Sequence, residues 1–392
     1  MGSLDGLKVL DFTTLLPGPY ATLMLADMGA EVIKISSAGR YDLVMDMEPH
    51  IEGTNISACQ AWLNRNKKTM FLNLKTDEAK TIVKELVQEY DIVIEQFRPG
   101  VMDRLGLGYE DLKAVNPGVI YCALTGYGQT GPLREAAGHD INYLSRSGLI
   151  SHSGRTVGGP SLMNFQIADI AVGSLNSVIG ILAAVNYRHM TGKGQFVDVA
   201  MLDGCVPFNS LDGAGFLVSG DLPQREGQLL NGGSAYDYYE TKDGEYMSVG
   251  SLEPKFWEAF CKGIGREGLI SGTVMPDNIQ AIKAEIRSIF KSKTKAEWME
   301  TFADVDACVQ PVLNLEEALL EDEQIIAREM VVDVDLPLHD GLKVKQMATS
   351  IKLSECPCEY KFAGYPLGYH TQEIIEKLGY NYKKLEKKGV FD

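Results

Sequence analysis

Apolar positions run almost unbroken through LKVLDFT near the start of the chain, and PGPYATLMLADMG then carries them at helical spacing before EVIKI resumes a short apolar run. That succession predicts strand, helix, strand, the unit that builds a parallel sheet. The pattern recurs. KTMFLNL reads as a strand, DEAKTIVKELVQEY as an amphipathic helix, and DIVIEQF as a strand whose end delivers Arg98, Pro99 and Gly100. A helix around MDRLGLGYEDLKAVN and the strand VIYCALTGYG follow. Three successive units imply an open α/β domain of Rossmann-like layout, whose ligands lie beyond the carboxyl ends of the strands.

Residues 131–165 are rich in Gly, Ser and Pro and read as loop around a short helix beginning near Asp140. From Ile167 to His189 the pattern is helical and largely apolar, with small side chains at Ala168, Ala171, Gly173 and Gly180, which predicts a helix buried in the core. After about residue 205 the composition changes. YDYYETKDGEYMSVGS predicts a hairpin turning at Lys242, Asp243 and Gly244, and helical patterns from EPKFWEAFCKGIG to LEEALLEDEQIIAREM follow it. The expected organisation is a large domain whose N-terminal part is 1–200, a linker at 201–224, a smaller α+β domain at 225–330, and a segment 331–392 that returns to the large domain. The final KKLEKKGVFD reads as solvated.

The chain has 392 residues, of which 45% are hydrophobic, enough for more than one core. Its formal charge of −16 disfavours nucleic acid and anionic membrane, so an anionic ligand must be met by local Arg or Lys clusters. Seven scattered cysteines suit a reducing, cytoplasmic setting, and only Cys356 and Cys358 lie close together. Their single-residue gap is not a zinc or redox spacing, and HExxH is missing, so no metal is expected. GxGxxG is missing too, which argues against a dinucleotide. The start of the chain lacks a signal-peptide pattern, and the apolar runs read as too short to cross a bilayer.

Two residues stand out for chemistry. His139, in REAAGHDINYL, is a side chain able to take and give a proton near neutrality, or a histidine satisfied at a helix start. Asp169, in FQIADIAVGS, is either a helix cap or a partly buried carboxylate whose burial raises its basicity. Glu253 opens a helix, where a carboxylate suits the N-terminus, and it is also able to orient a histidine. Among the early basic residues Arg40, Arg65, Lys67, Lys68, Lys75, Arg98 and Arg104, the pair Arg98 and Arg104 flanks a post-strand loop where forked donors take a phosphate. The lysines read as solvated surface.

The segments LLPGPYATLMLADMGAEVIKI, FRPGVMDRLGLGYEDL, NPGVIYCALTGYGQTGP, GHDINYLSRSG, GILAAVNYRHMTGKGQFVDVAMLDG and DGEYMSVGSLEPKFW together resemble the CaiB/BaiF family, the family III coenzyme A transferases, from about residue 4 to 370. Within it the chain looks most like the alpha-methylacyl-CoA racemases. The resemblance implies a racemase acting on a 2-methylacyl-CoA thioester, with His139 and Asp169 as its two bases and Glu253 as the partner of His139. The alternative is a CoA-transferase that uses Asp169 as an acyl-accepting nucleophile. Coenzyme A would be a substrate carrier rather than a tightly bound cofactor, held near Arg40, Lys75, Arg98 and Arg104, with Arg104 the best motif match. An interlocked homodimer is also implied. One position departs, since Phe165 stands where well-known racemases carry asparagine.

Overall fold

The computed structural model describes residues 2–272 and 274–392. The chain divides into two compact units, the first comprising the chain up to Ser147, Asn164–Val206 and Glu323–Asp392, the second Gly148–Met163 and Pro207–Asp322. The segment 201–224, expected as a linker, forms the helices Met201–Cys205 and Ser210–Ser219, split between the units.

The first unit is built on a six-stranded sheet. Its strands are β1 (Lys8–Asp11), β2 (Glu31–Ser36), β3 (Lys67–Phe71), β4 (Ile92–Glu95), β5 (Ile120–Thr125) and β6 (Phe196–Ala200), in the order β3-β2-β1-β4-β5-β6. Every pairing is parallel. The strand order reverses between β1 and β4, and at such a switch point the connections leave on opposite sides and open a crevice beyond the carboxyl ends. β4 and β5 are buried along their whole length, as the unbroken apolar runs IVI and IYCAL require of strands covered on both faces. Below the sheet, Leu10, Ile33, Val93 and Tyr121 pack with Ile82, Val83 and Leu86 of the helix Asp77–Leu86. That helix is capped by the Thr76 hydroxyl, which accepts the Ala79 N–H at 3.3 Å.

Three sequence expectations need correction. The helix Ile167–Thr191 is continuous over 25 residues, so by length and composition it is long and apolar enough to cross a bilayer. It packs instead on β5, β6 and Pro17–Asp27, as the core helix of an α/β unit does. Nor is it buried all round. Ala168, Val172, Ile181 and Ala184 face inward, while Ile179 and Met190 are exposed. The chain's last residues are not solvated either. Leu385, Val390 and Phe391 are buried, Phe391 stacks on Tyr382, and the Asn73 N–H donates to the Val390 carbonyl at 2.8 Å.

The second unit is a small α+β body. β7 (Asp237–Glu240), β8 (Tyr246–Val249) and β9 (Val309–Pro311) form an antiparallel sheet, with the first two joined through Lys242–Gly244. Helices Pro254–Gly263, Ile279–Phe290 and Lys295–Phe302 cover it with a stack of rings from Tyr239, Phe260, Phe290, Trp298 and Phe302. Asp237 anchors the unit, accepting from Arg155 and lying 2.7 Å from the fully buried Lys283 ammonium. The first unit also contains the hairpin of β10 (Val331–Asp335) and β11 (Lys343–Met347).

Candidate functional site

At the switch point the carboxyl ends of β1 to β4 enclose a cavity of about 750 Å³. Phe12 and Thr14 follow β1, Ser36, Ser37 and Arg40 lie at or beyond the end of β2, Asn73 and Lys75 follow β3, and Phe97 follows β4. The Arg40 guanidinium lies 5.6 Å from the centre of the Phe97 ring, a cation–π contact that fixes a planar cation at the cavity wall. The Phe97 N–H donates to the Glu95 carboxyl at 2.6 Å, which holds the post-β4 turn.

A second cavity of about 380 Å³ shares Thr14, Arg40, Phe97 and Val101 with the first. It adds Arg98, Arg134, Tyr127, Tyr143 and Gly138, and so extends the crevice to the residue before His139. The Tyr143 hydroxyl donates to the Gly138 carbonyl at 2.6 Å and its ring meets Tyr127 edge-on, which fixes that turn.

His139 is the N-cap of the helix Asp140–Arg146, with extended backbone and its N–H donated to the Asn142 side chain at 3.0 Å. Asp169 lies in the first turn of Ile167–Ser174, a wide π-helical stretch of the kind that recurs at functional sites. Its own N–H donates to Asp140 Oδ1 at 3.0 Å, which brings the two carboxylates together. Burial pushes the Asp169 carboxyl up to about 6, the Asp140 charge adds to the rise, and His139 opposes it. Burial also raises Asp140, against the N–H groups of Asp169 and Ala168. A carboxyl near 6 is present in both protonation forms at neutral pH, which is what proton transfer in either direction needs.

The structure leaves His139 exposed but within electrostatic reach of Asp169, and gathers Arg40 and Lys75 in one cavity with Arg98 in the adjoining one. Arg104, at the end of the short helix Val101–Arg104, is exposed and lines neither cavity. Glu253 caps Pro254–Gly263 in the second unit without a side-chain capping bond, and its carbonyl accepts the Trp257 N–H. Sequence reasoning missed Asp140, whose neighbour in space is 29 residues away, and Phe97, whose place on the wall follows only from the strand order. It also misread Lys67, which is fully buried beside Asp11. Among the described residues, no group of three or more His, Cys, Asp or Glu side chains is arranged to hold a metal ion.

Residues 4–371 match CoA-transferase family III. The chain is 33% identical to the alpha-methylacyl-CoA racemase of Homo sapiens over 387 residues, covering 98% of this chain and 95% of that protein. It is 32% identical to the succinyl-CoA:glutarate CoA-transferase of Homo sapiens over 386 residues, covering 96% and 86%. Among solved structures, a CAIB/BAIF family protein from Brucella suis superposes with a TM-score of 0.84 at 29% identity, covering 96% of this chain and 99% of that one.

Proposed function

The chain belongs to CoA-transferase family III, an acyl-CoA-handling family, and from that premise we propose that it inverts the carbon alpha to the carbonyl of a 2-methylacyl-CoA thioester. The observation that carries this reading is an Asp169 carboxyl raised to about 6 within electrostatic reach of His139. One of the two takes the alpha proton, and the C–H electron pair moves onto the thioester oxygen as an enolate. The other, already protonated, returns a proton to the opposite face, so atoms and charge balance and the product differs from the substrate only in configuration.

The hard step is enolate formation, because an alpha C–H is far less acidic than either base. Preorganised N–H donors at the enolate oxygen ease it. The Asp169 N–H is already given to Asp140, so we assign the donor role to the backbone turn at Gly138. Arg40, Lys75 and Arg98 hold the adenosine-phosphate end, and that remote binding positions the reacting carbon. Glu253 partners His139 in this reading, across the subunits of a homodimer, and His139→Ala should cost at least about 100-fold in racemisation.

A second reading is favoured by the family's own description and by likeness to named CoA-transferases. These support it more directly than they support racemisation. There the Asp169 carboxylate attacks the thioester carbonyl, the C–S bond breaks, CoA leaves as thiolate and an acyl anhydride remains for an acceptor acid to open. One experiment divides the two: a single enantiomer of a 2-methylacyl-CoA in deuterated water with no acceptor acid. Deuterium uptake with loss of optical purity supports proton transfer. An inert thioester that exchanges only when a carboxylic acid is added, with an adduct trapped on Asp169, supports transfer of CoA.

A further inference from the structure

Three charged side chains lie beneath the floor of the large cavity, and their signs do not cancel. Asp11 at the end of β1, Lys34 in β2 and Lys67 in β3 are each no more than 1% exposed. Asp11 accepts from the Thr13 N–H and hydroxyl at 2.9 and 2.6 Å and from the Thr22 hydroxyl at 2.5 Å. Lys34 Nζ stands 3.4 Å and Lys67 Nζ 3.5 Å from its two oxygens. Lys34 also donates to the Thr13 carbonyl, and Lys67 to the Pro19 carbonyl and Thr22 hydroxyl. One carboxylate thus faces two ammoniums. A buried charge without a counter-ion is costly, so the surplus favours loss of a proton or gain of an anion.

Lys34 also lines the cavity, which connects the surplus charge to whatever occupies it. We propose that the Lys34–Asp11–Lys67 cluster is the buried counter-charge for a phosphate-bearing ligand, and that binding such a ligand draws a proton onto the cluster. This rests on the reading of the cavity as a coenzyme A site. The other charged groups are Asp27, close to Lys67 and itself paired with Arg65 at 2.6 Å, and, lining the cavity, Arg40, Asp42, Lys75 and Asp392. Burial first, and then Lys34, lowers the Lys67 ammonium to about 8 against the pull of Asp11, so it stays largely charged at neutral pH and is about half deprotonated at pH 8.

The test is calorimetric titration of the full chain with coenzyme A at pH 8, in two buffers of widely different ionisation heat. We expect uptake of roughly half a proton per ligand, with affinity falling as pH rises from 7 to 9.5. Lys67→Met, which leaves one lysine to one carboxylate, should abolish the uptake and flatten the pH dependence. Equal heats in both buffers with wild-type protein overturn the proposal whether or not the variant folds, and so does uptake that persists in Lys67→Met. Absence of coenzyme A binding overturns the coenzyme A reading as well, whereas binding without uptake overturns this inference alone.

Discussion

Asp11 and Asp169 are carboxylates of the same unit, both removed from water, and their surroundings drive them in opposite directions. Asp11 is fully buried, yet Lys34, Lys67 and two threonines pull it down to about 2. Asp169 is partly buried, meets a second carboxylate in Asp140, and rises to about 6. Burial raises both. What differs is the company: two cations make Asp11 a permanent anion that ties three strands together, while a like charge leaves Asp169 poised between forms. Glu95, at the end of the strand beside β1, extends the contrast. It has the Phe97 N–H as a hydrogen-bond donor, Asp103 as a nearby like charge, and burial pushes it up to about 8.

The largest effect expected from this contrast is on Asp11. Asp11→Asn leaves two buried ammoniums without a counter-charge and should cost about 3–5 kcal/mol in denaturant unfolding. A loss under 1 kcal/mol would mean that the lysines do not need it.

Glu95 should behave in the opposite sense. Its folded value lies above its unfolded one, so its stabilising contribution is complete below the unfolded value of about 4.5 and is lost as pH rises through about 8. Glu95→Gln keeps an acceptor for the Phe97 N–H and should therefore gain about 2 kcal/mol over wild type at pH 9, and almost nothing at pH 4. Melting temperatures at those two pH values check this, and a variant less stable at both would contradict it.

The smallest stability effect belongs to Asp169. By the same sign its contribution disappears between about pH 4 and 6, so Asp169→Asn should stabilise the neutral protein by about 1 kcal/mol, discounted for partial exposure, while removing activity. Loss of activity together with loss of stability would make Asp169 a structural anion like Asp11.

The sheet was legible where apolar runs were uninterrupted, as in KVLD, IVIE and IYCALT. β6 escaped notice because Asp198 interrupts its short apolar run FVDVA and only its last two residues are buried, as a sheet-edge strand allows. Lys34 and Lys67 were unreadable for a different reason. A lysine in a strand normally marks a solvent face, and only the pairing of β1, β2 and β3 shows that Asp11 waits for both. In the last segment, lysines at 383, 384, 387 and 388 masked the anchors Leu385, Val390 and Phe391. At the site, the residue types His139 and Asp169 were evident, but the group that tunes Asp169 is Asp140, which local sequence presents as an ordinary first-turn acid.

If burial and Asp140 hold the Asp169 carboxyl near neutrality for proton transfer, the pH dependence of kcat/KM for alpha-deuterium exchange must show it, in wild type and in Asp140→Asn. Asparagine still accepts the Asp169 N–H but carries no charge. The expected profile has an acidic limb at about 6 in the wild type that moves to lower pH in the variant. A limb at an ordinary carboxylate value near 4, or one unmoved by the substitution, would contradict it.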